Sequence, residues 1–151
     1  MKNESGRTLM ETLGVLAISG ILAAAAFQAY RVVQTRQSRF IAEDNIRSIS
    51  TNARILFAGR QSFENISADY MIRAGGMKSA YIGIGGDIRM QSNAQEKSFT
   101  ITIPEITESD CVYFTMRKFD FVDRVGANGY YETSSSYCKP DSTNEISFII
   151  K

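Results

Sequence analysis

One carboxylate stands out by its surroundings. Glu11 lies at the front edge of a run, residues 12–30, that carries no charge. An ionisable group in an apolar medium is costly and calls for a partner. The other notable acids gather as Glu105, Glu108 and Asp110, and as Asp120 and Asp123. Paired carboxylates can do acid–base work, but only in a pocket that shifts their pKa values. No pocket is legible around them, and they read as solvated surface acids. The chain has no histidine, which removes the commonest general base and metal ligand. The serine-rich "TSSSYC" therefore has no imidazole to activate it. Cys111 and Cys138 cannot build a structural zinc site without histidine. They are either two buried thiols or one disulfide, according to the compartment. "GIGGD", residues 83–87, lacks both the G-x-G-x-x-G spacing and the lysine–hydroxyl pair of a phosphate loop, and reads as a flexible connection. No D-x-[DN]-x-[DN]-G calcium loop occurs. These residue types support no catalytic assignment, no metal and no cofactor, and the reading is of a protein that is not an enzyme.

The 151 residues suffice for one domain, or a small domain with an extension. Seventeen basic against sixteen acidic residues leave a net charge of +1. A nucleic-acid binder usually shows a basic excess or a basic face, so direct nucleic-acid binding is not indicated.

Glu11 is positioned by the elements that follow it in the chain. Residues 12–30, nineteen in all, would span roughly 28 Å as a helix, close to the hydrocarbon thickness of a bilayer. Ser19, Gly20 and Ala23 to Ala26 give this segment small faces, which let helices approach closely in an apolar medium. Beyond Arg31, the apolar residues Ala42, Ile46, Ile49, Ala53 and Leu56 recur at helical spacing. No proline or glycine interrupts the chain from Ile21 to Ala58, and Gly59 is a stop signal. The pattern predicts one helix from about Thr8 to Ala58, apolar all round in its first half and amphipathic in its second. The segment could be membrane-embedded first and then buried among copies of itself; a plain transmembrane anchor is one rival, and a secretory signal peptide the other, with Lys2 and Arg7 as its basic region and cleavage near Ala26. Glu4 and Glu11 precede the apolar core, where acids are unusual, and the helical pattern runs past Ala26.

A short polar leader ending in Gly6, followed by "RTLMETLGVLAISGILAAAAFQAY", resembles the prepilin signature of type IV pilins and the related type II secretion pseudopilins. The resemblance implies cleavage between Gly6 and Arg7 and methylation of the new N-terminus at Arg7. It makes Glu11 the fifth mature residue, the family's glutamate position, with a role in assembly. The first mature residue would be Arg7, where the family usually has an apolar one. Many pilins carry a helix-kinking proline where this chain has Gln28, so the helix is closer to the type IVb pilins. Arg31, Arg36 and Arg39 follow the apolar run, while Lys2 and Arg7 precede it. The positive-inside rule alone would favour the opposite orientation, but a whole domain is exported largely regardless of charge, and the reading keeps the N-terminus inside.

An exported domain makes a Cys111–Cys138 disulfide the expected state, and the resemblance implies the same bridge. Closing that loop would stabilise the fold by roughly 3 to 4 kcal/mol in the chain-entropy treatment. Ahead of it, residues 59–97 read as a connection with one short helix near Ala68 to Ala74. "SFTITI", Ser98 to Ile103, alternates as a strand, ended by Pro104. Thr107 or Ser109 is positioned to cap a helix whose first turn carries Glu108 and Asp110; the β-branched and aromatic content of the same segment would also suit a strand, and the helix is the preferred reading. Phe119 to Val125 reads as a strand, Asn128-Gly129 as a turn into a partner strand, and "EISFIIK" as the last strand. The expected fold is α+β: a long N-terminal helix packed on a small antiparallel sheet, with one disulfide.

The reading divides the chain into a leader (1–6), an apolar membrane or filament-core half of the helix (7–30), and an exported globular domain (31–151). It describes the structural subunit of an extracellular type IV pilus, held in the bacterial inner membrane as prepilin and serving adhesion, DNA transfer or motility. A type II secretion pseudopilin or minor pilin is the alternative, and a secreted soluble domain the alternative of another class. Implied partners are copies of itself, a prepilin peptidase, an assembly ATPase and an inner-membrane platform protein.

Overall fold

The computed structural model describes residues 4–60, 62–93, 97–140 and 143–151, with side chains from residue 8 onward. Residues 1–3 of the expected leader, Lys2 among them, lie outside the described residues. The chain divides into two units, Met1–Gln37 and Ser38–Lys151.

The first unit is helical. Helix α1 (Glu4–Leu56) begins in it and ends in the second unit. Through residue 37 its described side chains are exposed on every side. Backbone hydrogen bonds within a helix need no tertiary partner, and the alanines and leucines here are strong helix formers. The segment is therefore helical without a core of its own.

The second unit carries the core. It contains the end of α1, α2 (Ala68–Arg73), β1 (Arg89–Asn93), β2 (Ser98–Ile106), α3 (Glu108–Met116), β3 (Arg124–Ala127) and β4 (Asn144–Ile150). The four strands form an antiparallel sheet in the order β1-β2-β4-β3. Alternation places Phe99, Ile101 and Ile103 of β2 on one face, opposite Ile150, Phe148 and Ile146 of β4. All six are fully buried. They join Ala42, Ile46, Ile49, Ala53 and Phe57 of the α1 region, and Phe114 of α3, in one core. The stripe read from sequence is thus correct through Ala53. Leu56 is only partly buried, and Phe57 takes the last core position.

Several local expectations need correction. Pro104 does not end its strand. β2 passes through it with a bulge: three steps from Ile103 to Ile106 face two from Ile146 to Asn144. Glu105 takes a positive φ of 57° there. A bulge is where a sheet tolerates a residue that has no N–H to donate. Residues 59–97 are more than connection, since β1 adds an edge strand with Met90 buried. Phe119 to Val125 is not a strand along its length, and β3 starts only at Arg124. Phe119 instead packs on Phe114 and Phe148, at ring-centre distances of 6.1 and 5.9 Å; aromatic burial outweighed the alternating pattern. The Asn128-Gly129 turn is present, with φ of 51° and 87°, as a tight hairpin turn requires. Its return side is a single bridge, Ala127 to Tyr130, and the strand pairing with β3 is β4.

"GIGGD" is packed rather than flexible. Ile82, Ile84 and Ile88 around it are buried. A β-carbon on Gly85 (φ +60°) would lie 2.4 Å from the Pro104 carbonyl oxygen. The neighbouring Gly86 N–H donates to that same oxygen at 2.9 Å. The glycine is there for close backbone approach to the β2 bulge.

Candidate assembly surface

The second unit anchors its part of α1 by charge as well as by burial. Arg39, Glu43 and Arg47 are spaced by four and share a helix face. Arg39 Nε donates to Asp110 Oδ1 at 2.7 Å, with both side chains largely buried. Arg117 Nη2 lies 3.2 Å from Glu43 Oε2, and Arg47 Nη2 lies 2.8 Å from Asp120 Oδ1. The Arg39 guanidinium also covers the Tyr113 ring at 4.8 Å and donates to Ser109 Oγ at 3.0 Å. The alternating signs on α1 meet the opposite alternation on α3 and the segment after it. Asp110 is therefore no solvated acid. Its partner Arg39 lies 71 positions away, and the i, i+4 alternation of signs on α1 was the signal that could have revealed the ladder.

Helix α3 begins as expected: Thr107 is its N-cap, and Thr107 Oγ1 accepts from the Asp110 N–H at 3.2 Å. Cys111 on α3 is bridged to Cys138. The bridge closes the segment that carries β3 and the Ser135–Tyr137 3₁₀ turn. Asn144, fully buried at the start of β4, holds the same segment from the other side. Its Oδ1 accepts from the Lys139 N–H at 2.7 Å and from Asn128 Nδ2 at 3.0 Å, and its Nδ2 donates to the Lys139 carbonyl at 2.9 Å. Sequence reading missed Asn144, because an asparagine opening a strand has no pattern of its own.

Among the remaining acids, Asp123 pairs with Arg124 and Lys151 at 3.4 and 3.1 Å. Hydrogen bonding from Arg47 holds the Asp120 carboxyl below the ordinary aspartate range. Hydrogen bonding to Glu132 raises the Tyr137 phenol. Among the described residues no group of three or more histidine, cysteine, aspartate or glutamate side chains is placed to hold a metal ion.

The first unit has the opposite character. Leu9, Leu13, Leu16, Ile18, Ile21, Leu22 and Phe27 are each more than half exposed. The segment is long and apolar enough to cross a membrane. Nothing lies within 4 Å of where a β-carbon would stand on Gly14 or Gly20, so a neighbouring helix could approach closely at both. Glu11 lines a shallow groove with Thr8, Thr12, Val15 and Leu16. Thr12 turns its hydroxyl back to the Thr8 and Leu9 carbonyls at 2.7 and 3.0 Å, which spares that hydroxyl a need for water. Glu11 has no ion-pair partner among the described residues. Gly6 and Arg7 belong to α1, but their side-chain surroundings lie outside the described residues. Of the residues singled out by sequence, the structure brings together Cys111 and Cys138.

The sequence matches no family model and no curated protein. Among solved structures, the chain is similar to a type IVb pilin from Salmonella typhi, with 19% sequence identity and a TM-score of 0.50. The likeness covers 70% of this chain and 95% of that one. The chain therefore has a type IV pilin-like fold, with the long N-terminal helix, four-stranded antiparallel sheet and disulfide described above.

Proposed function

We propose that this chain is the structural subunit of an extracellular type IV pilus. The observation that carries the reading is a helix without interruption whose first half bares apolar side chains all round, with Glu11 as its one acid between residues 8 and 42. Water does not tolerate such a surface on an isolated chain. A bilayer covers it first; copies of the same helix cover it in the filament. In this reading the precursor waits in the bacterial inner membrane. A prepilin peptidase cuts between Gly6 and Arg7 and the new N-terminus is methylated. The segment 7–30 then leaves the lipid for the filament core, while the globular domain faces outward. An assembly ATPase and an inner-membrane platform protein drive that transfer. Head-to-tail packing of identical subunits gives an open, heterologous assembly. Adhesion, DNA transfer or motility would be its outputs.

Cleavage creates an amine at Arg7, four residues before Glu11. An unpaired carboxylate in an apolar core is costly, and the amine of an adjacent subunit would neutralise it and set the axial register. The test is co-expression of the full chain with a prepilin peptidase and the assembly machinery. Mature protein should begin at Arg7, and sheared surface fibres should contain it. A mature N-terminus near Phe27 would overturn the reading. Glu11→Ala should lower fibre yield on the order of tenfold or more, while the Cys111–Cys138 bridge still forms. Undiminished fibres would remove Glu11 from the mechanism.

A further inference from the structure

The apolar run ends in a set of residues that the assembly reading leaves without a task. Tyr30 and Arg31 are exposed, and so is Arg36. The Arg31 guanidinium lies over the Phe27 ring, 4.9 Å from its centre. No acid occurs between Glu11 and Glu43. Arg31 and Arg36 have no ion-pair partner among the described residues, whereas Arg39, three positions on, is taken by Asp110. Two cations are therefore left open at the end of the segment.

Their placement matches the geometry of a bilayer surface. With Glu11 at one boundary of the hydrocarbon, Arg31 stands roughly 30 Å away along the axis, at the other boundary. Arg36 stands about 7.5 Å further, within or just past a headgroup layer about 5–8 Å deep. Around the axis Arg31 and Arg36 are roughly 140° apart, and Tyr30 lies roughly 100° from Arg31. A protein partner would contact one face of the helix, whereas a lipid interface surrounds it. Cations spread around the helix suit the second. Phe27 under Arg31 lets the guanidinium rest on an apolar ring while its N–H groups reach outward. Tyr30, with an apolar ring and a polar tip, belongs at the same depth.

We infer that Tyr30, Arg31 and Arg36 form a collar that binds anionic phospholipid headgroups and holds the membrane-embedded subunit at a fixed depth before assembly. This rests on the pilus reading, since it needs the first half of α1 to reside in a bilayer. The phosphates of anionic lipids accept the guanidinium donors, bidentately where geometry allows. The basic residues that run against the positive-inside rule thereby acquire a role at the outer surface.

The test uses the full-length precursor, transferred from detergent into vesicles of phosphatidylcholine alone or of an equal mixture of phosphatidylcholine and phosphatidylglycerol. Insertion into the neutral vesicles reports on the membrane reading itself. Preference for the mixed vesicles at low salt reports on the collar. The wild type should prefer the mixed vesicles. The Arg31→Gln variant should lose about fivefold of that preference, and Arg31→Gln/Arg36→Gln about thirtyfold. A control, Arg60→Gln/Arg73→Gln in the globular unit, should retain the preference. Wild-type insertion with no anionic preference, or a preference that survives the double variant, overturns the collar and leaves the pilus reading standing. Failure to insert into either vesicle overturns both.

Discussion

Two stretches in and around α1 both carry apolar side chains and meet opposite fates. In residues 42–57 the apolar stripe is buried: Ala42 and Ala53 are fully inaccessible, and Ile46, Ile49 and Phe57 nearly so. In residues 9–27 the apolar side chains stand open, with Ile21 71% exposed. Both stretches are helical, because helix hydrogen bonds close locally. What differs is whether the chain supplies a partner. The second stretch meets its own sheet and α3. The described side chains of the first stay exposed, and on the proposed function lipid or other copies cover them. On the proposed function, folding and assembly fall to separate parts of one helix, and substitutions should sort accordingly.

The largest expected effect tests that division directly. Phe114→Ala empties a buried site packed against Tyr113, Phe119 and Phe148. It should lower the unfolding free energy of the globular unit by about 3–5 kcal/mol in denaturant titration. Ile18→Ala should leave that stability within about 0.5 kcal/mol while reducing fibre yield. Equal destabilisation by both would erase the distinction between the two stretches.

Next in size is the bridge. Cys111→Ser/Cys138→Ser should lower stability by about 3–4 kcal/mol, read as the shift in thermal midpoint between the variant and the oxidised wild type. An unshifted midpoint would mean that the Asn144 contacts and the ion-pair ladder hold the segment unaided. Asn144→Ala tests the other clamp. It leaves the Lys139 N–H and carbonyl without their partner, and should cost about 2–3 kcal/mol. Amide exchange should quicken first in residues 128–140, and uniform exchange across the unit would contradict a local clamp.

The smallest effect is electrostatic. Arg47 and Asp120 are exposed, so the contribution of their pair is modest and falls with salt. Its sign follows from linkage. The folded-state pKa of Asp120 is depressed, so its stabilisation is complete above the ordinary aspartate value of about 3.9. The stabilisation fades as pH falls from there through the lowered value. Asp120→Asn should flatten that part of the stability–pH curve and leave the neutral region nearly unchanged.

These residues differ in how far the sequence reveals them. Ala42, Ile46, Ile49 and Ala53 are legible because helical periodicity marks a buried face without reference to its partner. Thr107 is legible as a cap because capping is a contact within one turn. Pro104 misleads, since a proline ends a strand unless the neighbouring strand accommodates a bulge, and that neighbour is β4, some forty positions later. Phe119 misleads for a related reason: its side chain answers to Phe114 and Phe148 rather than to the alternation around it. Glu11 could be singled out from its surroundings alone, because a carboxylate beside an uncharged run is conspicuous in any fold. Asn144 could not, because its role exists only once residues 128 and 139 are brought to it.

The sequence by itself determined the features governed by local spacing: the long helix, its change from all-round apolar to striped, the caps, the Asn-Gly turn and the lone carboxylate. Tertiary structure alone decided the strand order β1-β2-β4-β3, the bulge at Pro104, the packed "GIGGD" segment and the ladder from α1 to Asp110, Arg117 and Asp120. The division has a physical cause. Backbone hydrogen bonding and capping are satisfied within a few residues, whereas pairing and packing depend on which distant residues arrive, and that is settled only when the core closes.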